Sequence, residues 1–243
     1  MSRCRCLSST AIKLFACLFM LIDHAGMLLF PEEDWMRTVG RLSFPLFAFC
    51  IAEGCRYTRN RTKRLLTVLG LGVICEAVFI VAEGEYYGNI LLTFSFSIAL
   101  IYLLQEWKAH LFERRTAYAV VWGTAFVAAT GTVFVFTQTW GVDYGFAGVM
   151  TAVAVSLFDD RKGNAPPVFA RFDRLPVKLI LLAVMLLFVA NRSHTPSQQI
   201  YALSAVPLLA LYNGKAGKLR LKYGFYLFYP LHLAVLELIA WMT

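Results

Sequence analysis

Residues 11–30 read AIKLFACLFMLIDHAGMLLF, an apolar run that carries Asp23 and His24 well inside it. A run of about 20 mostly apolar residues is long enough to cross the hydrocarbon core of a bilayer as one helix. An ionisable side chain inside that core costs about 2.5–3.5 kcal/mol on insertion scales, so such residues mark functional sites by default. The stretch therefore predicts a transmembrane helix that carries a polar site.

The rest of the chain has the composition of an integral membrane protein. Of its 243 residues, 59% are hydrophobic and 16% are charged, and the mean hydropathy is +0.62. We expect one all-α domain over residues 1–243, a polytopic transmembrane bundle of about nine helices. The predicted helices span residues 10–30, 36–55, 64–82, 89–105, 116–137, 144–158, 177–190, 200–212 and 223–242.

The net charge of +8 raises the question of nucleic acid as a partner. The cations lie in loops between apolar helices, and no soluble module remains to use them, so we expect lipid headgroups and anionic cofactors instead. Loops rich in Lys and Arg alternate with loops that are not, which predicts a cytoplasmic amino terminus. Lys13 interrupts the first apolar run too early for a signal peptide, so we expect the first helix to be retained.

Asp23, His24 and Arg41 form the predicted catalytic core. Adjacent residues of a helix do not face each other, so a different helix must supply the side chain that orients the His24 ring. Arg41 starts the second predicted helix at about the depth of Asp23, and an ion pair between them would satisfy both charges. Pro45 removes the hydrogen bond to the Arg41 carbonyl and is expected to kink the helix there.

The basic run RYTRNRTKR, residues 56–64, has two interpretations. Positive-inside topogenesis explains it without a ligand. Alternatively, its guanidinium groups bind the phosphates of a cofactor that enters from the cytoplasm, with NGKAGKLRLK (213–222) as a second wall. The predicted cofactor-binding residues are Arg56, Arg59, Arg61, Lys63, Arg64, Lys215 and Lys218.

The last predicted helix places His232 near mid-membrane, beside Tyr226, Tyr229 and the helix-breaking Pro230. A lone histidine on an apolar face is usually a packing residue, but this setting makes a functional role as plausible. Tyr226 and Tyr229 are predicted to bind the substrate. Five further polar residues in outer halves of helices or outer loops are expected to line an acceptor pocket: Glu76, Asn89, Asp143, Tyr144 and Glu237. The six cysteines show no CxxC pair, so we expect them to pack as small hydrophobes and expect no metal site.

Six blocks carry a family resemblance: LIDHAG (21–26), GRLSFPLFAFCIAEG (40–54), EYYGNILLTF (85–94), DYGFAGVM (143–150), LLALYNGKAGK (208–218) and KYGFYLFYPLHLAVL (222–236). Together they resemble the TraX family, known for acetylating the amino terminus of conjugative F-type pilin. The chain is more distantly similar to polytopic acyltransferases that pass an acyl group from cytosolic coenzyme A across the membrane.

The resemblance implies a multi-pass protein of the bacterial inner membrane that uses acetyl-CoA as acyl donor. The implied acceptor is the amino-terminal amine of an exported protein such as a pilin. His24 would be the catalytic residue, as a general base or as a covalent carrier of the acetyl group. Asp23, Arg41, Asn89 and His232 fall in matching blocks and are implied site residues, and Arg41 or a tyrosine would stabilise the oxyanion.

Two other functions stay open on the sequence alone. His24 and His232 could be axial ligands of a haem in an electron-transfer protein, which an absorption spectrum would reveal. Asp23, Arg41 and Glu76 could form the proton path of an ion-coupled transporter, which counterflow in liposomes would test. Neither explains the basic loops as well as an acetyl-CoA-dependent transferase does.

Overall fold

A computed structural model describes residues 5–193, 195–217 and 222–242 of the chain. This part of the chain is helical and contains no named strand, which confirms the predicted all-α class. The helices are α1 (Ser9–Leu28), α2 (Asp34–Gly40), α3 (Ser43–Tyr57), α4 (Arg61–Glu83), α5 (Ile90–Phe112), α6 (Thr116–Thr139), α7 (Gly145–Val155), α8 (Pro167–Ala170), α9 (Leu175–Arg192), α10 (Pro196–Gln199), a 3₁₀ helix (Ile200–Ser204), α11 (Ala205–Ala210) and α12 (Lys222–Met242).

Six of these helices are long and apolar enough to cross a membrane: α1, α4, α5, α6, α9 and α12. They correspond to six of the nine predicted helices, with ends that shift by up to seven residues. The chain is therefore an integral membrane protein by the length and composition of its helices.

The three other predicted helices differ from those in the structure. The helix predicted over 36–55 is two helices, α2 and α3, separated at Arg41 and Leu42. Pro45 lies in the first turn of α3, where its missing N–H group costs nothing, so it helps to start a new helix rather than kink a continuous one. The helix predicted over 144–158 ends at Val155, and 200–212 begins as a 3₁₀ helix and ends at Ala210.

One compact unit is the continuous segment Ile51–Met185. Helix α5 is its centre and packs against α4, α6 and α7. Its side chains Ile98, Leu100 and Ile101 are fully buried. About two thirds (67%) of the most apolar part of α5 is buried within the chain.

The other compact unit joins the two ends of the chain, Met1–Cys50 and Leu186–Thr243. Helix α1 packs against α2 and α12. The α1–α2 contact is close because Gly26 has no side chain: a Cβ atom there would lie 2.6 Å from the Cβ of Met36. This arrangement puts the polar residues of α1 in contact with two other helices.

A short strap holds the start of α1 against residues 211–217. Leu7 and Tyr212 form a parallel bridge, and the Ser9 N–H group donates to the Lys215 carbonyl at 2.8 Å. The Thr10 hydroxyl donates to the Ala216 carbonyl at 2.7 Å. Gly217 has a φ of +93° and lies against Ser8 and Thr10, so no larger residue fits there without strain.

Large apolar side chains are exposed along several of the long helices, including Val121, Val127 and Val135 of α6 and Leu231 and Leu238 of α12. Only 11% of the most apolar part of α6 is buried within the chain. Continuous apolar surface of this kind is what lipid acyl chains cover in a membrane protein.

Candidate active site

His24 of α1 and His232 of α12 are joined by a hydrogen bond, with 2.8 Å between His24 Nδ1 and His232 Nε2. The partner that the sequence analysis required from a different helix is therefore His232. His232 is buried, whereas His24 is partly exposed. The pair thus has a sheltered end on α12 and an accessible end on α1.

The backbone fixes the direction of this hydrogen bond. His232 Nδ1 lies 2.7 Å from the Phe228 carbonyl oxygen, which can only accept. In a neutral His232 ring the proton is therefore on Nδ1, and Nε2 accepts from the His24 Nδ1–H group. A neutral His24 then carries its lone pair on Nε2, which is the form that can take a proton from a substrate or attack a carbonyl.

Aromatic rings hold His232 in this orientation. The Phe228 ring stacks on His232 at a centroid distance of 4.6 Å, and the buried Tyr229 ring meets it edge-on at 5.8 Å. Pro230 lies inside α12 between Tyr229 and His232, and it has no N–H group to donate to the Tyr226 carbonyl. Of the predicted substrate-binding tyrosines, Tyr229 thus packs on the histidine pair, and Tyr226 lies half-buried one turn away.

Asp23 forms an ion pair with Arg37 of α2, with 3.0 Å between Oδ2 and Nη1. Arg37 also donates to the Asp23 carbonyl at 3.1 Å. The predicted partner of Asp23 was Arg41, which lies near enough to act on Asp23 through its charge. Arg37 was not predicted. Gly40 lies directly against the Asp23 carboxylate, in space that a side chain would occupy. The end of α2 therefore clamps Asp23 beside the histidine pair.

The histidine geometry does not suit haem ligation. An iron with two axial histidines lies between their ligating nitrogens, so those nitrogens cannot hydrogen-bond each other. Here the two rings are tilted at 49° and in direct contact. The arrangement instead resembles that of a catalytic triad, in which one side chain orients the histidine that transfers the proton.

Three cations of the predicted phosphate-binding run turn inward. Arg56 pairs with Asp173 at 2.6 Å, Arg61 pairs with Glu106, and Arg64 donates to the Ile51 carbonyl at 3.2 Å. Burial lowers the pKa of the Arg56 guanidinium, but its hydrogen bond to Asp173 and the charge of Asp159 more than compensate, so its pKa is raised. Each of these three guanidinium groups therefore contacts a protein group.

The remaining predicted cofactor-binding residues are exposed or lie outside the described residues. Arg59 and Lys63 are exposed. Lys215 is exposed as well, and its backbone belongs to the strap at the start of α1. Lys218 lies outside the described part of the chain.

A buried charge cluster was missed by the sequence analysis. Lys178 of α9 pairs with Glu53 of α3 and, at 2.6 Å, with Asp159, which also accepts from Arg56 at 3.4 Å. Lys178 and Glu53 have side chains that are 5% and 9% exposed, and Asp159 is fully covered. Glu53 in an apolar helix and Lys178 near the start of another are the signals that could have indicated it.

Glu76 and Asn89 hold a loop together. The Glu76 carboxylate accepts from the backbone N–H groups of Tyr87, Gly88 and Asn89 at 2.6–3.1 Å and from the Asn89 amide at 2.8 Å. Asn89 is fully buried and caps α5 by accepting from the Leu91 N–H group. A carboxylate that accepts this many hydrogen bonds is stabilised in its charged form and is a poor proton carrier. Glu76 therefore does not suit the proton path of the transporter hypothesis. Tyr144, another predicted outer-loop residue, immediately precedes α7 and has a φ of +63°.

The sequence is similar over most of its length to one known family and to proteins of two bacteria. A family model described as "TraX protein" matches residues 8–240. A Dichelobacter nodosus protein named "Probable fimbrial assembly protein FimC, serogroup H1" is 27% identical over 261 residues, with 97% of each chain covered. "Protein TraX" of Escherichia coli K12 is 30% identical over 238 residues, covering 94% of this chain and 86% of the relative, and a second E. coli "Protein TraX" is 28% identical over similar shares. No solved structure shows a significant match.

Proposed function

The chain belongs to the TraX family, and on that premise we propose that it is a membrane-embedded acetyltransferase with acetyl-CoA as donor and the amino-terminal amine of an exported protein as acceptor. The single observation that carries the proposal is the His24–His232 hydrogen bond, because it leaves the accessible His24 with a basic nitrogen. A positioned base of this kind is what transfer from a thioester to an amine requires.

In the proposed reaction, the nitrogen of a neutral amine attacks the thioester carbonyl carbon. His24 Nε2 takes a proton from that nitrogen, and His232 and the Phe228 carbonyl keep the ring in place while it becomes cationic. The C–S bond then breaks, and the proton on His24 passes to the departing thiolate. The products are an N-acetyl group on the acceptor and free coenzyme A.

Two neighbouring cations support the transition state in this proposal. Arg37 holds Asp23, so the carboxylate is neutralised and does not repel the negative oxyanion. Arg41 is the cation that we assign to the oxyanion, because it follows α2 directly and its charge reaches Asp23. In comparable oxyanion holes, removal of one hydrogen-bond donor raises the activation free energy by about 2.7–4 kcal/mol.

The acceptor class follows from the family and from the loop beside the site. One relative's name refers to fimbrial assembly, and a pilin is the exported protein that we assign as acceptor. Glu32 and Glu33 in the turn between α1 and α2, and Asp34 at the start of α2, are exposed and would attract an ammonium group before it loses its proton. We place the chain in the bacterial inner membrane, with the donor on the cytoplasmic face and the acceptor opposite.

The test is transfer in sealed proteoliposomes of known orientation. Acetyl-CoA labelled in its acetyl group is supplied on one face, and an impermeant peptide with a free amino terminus on the other. We expect labelled peptide when acetyl-CoA is on the face that bears Arg56–Arg64. Labelling only when both are on one face would refute the transmembrane arrangement, and labelling in neither arrangement would refute the acetyltransferase itself.

A further inference from the structure

Residues 166–174 (PPVFARFDR), which we call the α8 segment, contain α8 and lead directly into α9 within the Ile51–Met185 unit. Phe169 of α8 packs against Phe112 at the end of α5, with 4.9 Å between the ring centroids. Helices α5 and α9 are both long and apolar enough to cross a membrane. The α8 segment therefore lies beside the ends of two membrane spans, where the bilayer surface meets water.

One side of the α8 segment is fixed to the protein. The rings of Phe169 and Phe172 each lie 5.2 Å from the ring of Phe158. Asp173 pairs with Arg56 at 2.6 Å, and its other carboxylate oxygen accepts from a backbone N–H group at 3.2 Å. These aromatic and ionic contacts hold the segment in one position against the ends of α3 and α5.

The other side of the α8 segment is apolar and exposed. Val168 is 68% exposed and Phe172 is 46% exposed. Pro166, Pro167 and Ala170 are exposed as well. An apolar surface at the edge of a bilayer is stabilised when it enters the boundary between the headgroups and the acyl chains, about 5–10 Å into the membrane. The position and composition of this side thus fit a lipid surface better than water.

Two unbalanced positive charges accompany the apolar side chains. Arg171 and Arg174 are exposed, and neither forms an ion pair within the described part of the chain. The nearby acid, Asp173, is already paired with Arg56. Guanidinium groups bind phosphate oxygens through paired hydrogen bonds. Loops rich in Lys and Arg are predicted to face the cytoplasm, and the cytoplasmic leaflet is the one that carries anionic lipids.

We propose that the α8 segment binds an anionic phospholipid, with Arg171 and Arg174 at the headgroup phosphate and Val168 and Phe172 in the boundary with the acyl chains. The exposed apolar side chains alone would suit any phospholipid. The two unbalanced arginines add a preference for a negatively charged headgroup. This lipid site is separate from the histidine pair and does not depend on the proposed acetyl transfer.

The depth of the α8 segment is measured by fluorescence quenching of the full-length protein in nanodiscs. Val168→Trp places an indole ring at an exposed apolar position, and its signal is the excess over the unmodified protein, which has five tryptophans. Bromine atoms on the acyl chains of phosphatidylglycerol quench only rings that lie near them. We expect the excess emission to fall at least about twofold, because an interfacial side chain reaches the acyl boundary.

Asn164→Trp is the matched control for position, because Asn164 is exposed in the same loop but follows the polar residues Lys162 and Gly163. Its excess emission should not respond to the bromine atoms. Ala170→Trp gives a second reading at an exposed apolar position of the α8 segment. Absence of quenching at both positions 168 and 170 would overturn the proposal, since the exposed side would then face water or a soluble partner.

Headgroup selection is measured in the Val168→Trp protein, with the bromine atoms placed on either phosphatidylglycerol or phosphatidylcholine in a mixture of the two. Each arginine near an anionic surface strengthens binding about fivefold, so we expect phosphatidylglycerol to be preferred by at least about tenfold. Replacing both Arg171 and Arg174 by glutamine should abolish this preference, whereas replacing both by lysine should keep most of it. Equal quenching by the two lipids before any arginine is replaced would refute the headgroup site.

Arg192→Gln is the matched control for Arg174→Gln, because each removes one exposed cation and the two residues lie at opposite ends of α9. Arg174→Gln should lower the preference for phosphatidylglycerol about fivefold. Arg192→Gln should leave it within about twofold, because exposed charges at a distance are screened. Equal losses in the two variants would overturn the proposal, since they would reflect the overall charge of the protein.

Discussion

His24 and His232 are 208 positions apart in the chain, yet their rings are 4.9 Å apart and joined by one hydrogen bond. The Phe228 carbonyl, one helical turn before His232, sets which nitrogen of each ring carries a proton. In the proposed mechanism His232 is therefore a positioning residue, and His24 is the residue that meets the substrate. This difference in role leads to different expectations for their replacement.

Replacing His24 by alanine should lower acetyl transfer by about 10²–10⁴-fold, because the general base is lost. Because the residue is partly exposed, the melting temperature should change little. Initial rates with labelled acetyl-CoA measure the effect, and His110→Ala, at the end of α5, is the matched control with normal activity expected. Activity of His24→Ala within about tenfold of the unmodified protein would rule out the assigned role.

Replacing His232 should reduce the rate without weakening donor binding. In His232→Leu the His24 ring loses its acceptor and populates both tautomers, so we expect kcat to fall at least about tenfold with a similar KM for acetyl-CoA. His232→Gln keeps an acceptor near the position of Nε2 and should recover part of kcat. Equal losses in the two variants would mean that His232 acts only through packing.

The stability that the buried charge cluster gives the protein should depend on Lys178. Lys178→Met leaves Glu53 and Asp159 covered without their shared cation, which typically costs about 3–5 kcal/mol in the free energy of unfolding. Chemical unfolding in detergent measures that loss. Adding Glu53→Gln to Lys178→Met should restore part of it, since one uncompensated charge is removed. Additive losses in the double variant would show that the two residues are not coupled.

Glu76→Gln should loosen the loop that Glu76 holds without impairing catalysis. The amide brings an N–H group against backbone N–H donors, so we expect faster hydrogen exchange at residues 85–89 and a loss of about 1–3 kcal/mol in stability. Steady-state kinetics should show an unchanged KM for the acceptor. A large rise in that KM with normal exchange would instead support the substrate-binding role that the sequence predicted.

Gly40→Ala should damage the candidate active site through packing. The added methyl group occupies the space of the Asp23 carboxylate and forces it away from Arg37, at a cost of about 1–3 kcal/mol and with lower activity. Thermal unfolding and transfer rates measure both effects. Gly70→Ala, in the interior of α4 with no atom near the new methyl group, should instead be neutral or stabilising by up to about 1 kcal/mol.

The sequence predicts those parts of the fold that depend on local pattern. Long apolar runs indicate the six long helices, because a membrane span needs little beyond length and hydropathy. Pro45 correctly predicts an interruption at Arg41, although not two separate helices. The short helices 144–158 and 200–212 are mispredicted because their ends depend on capping and on packing with other segments.

The candidate site is predictable in its residues but not in its pairs. Asp23, His24 and His232 are recognisable as polar groups in apolar helices, whereas their partners come from sequence positions that no periodicity connects. Arg37 pairs with Asp23 across a turn, and Arg56 reaches Asp173 at a separation of 117 residues. A run of cations looks uniform in the sequence, but the acidic partners that turn some of them inward are visible only in the folded chain.

The division of the chain into a continuous unit and a unit built from both chain ends sets an order for biosynthesis. The middle unit is complete once Met185 has been made, whereas α1 must wait for the strap at residues 211–217 and for α12. At about 5–20 residues per second, His24 waits roughly 10–40 s after its own synthesis before His232 exists. A ribosome that stops early therefore leaves a membrane-inserted fragment without its histidine pair, so the chain acquires its proposed chemistry only when its last helix is in place.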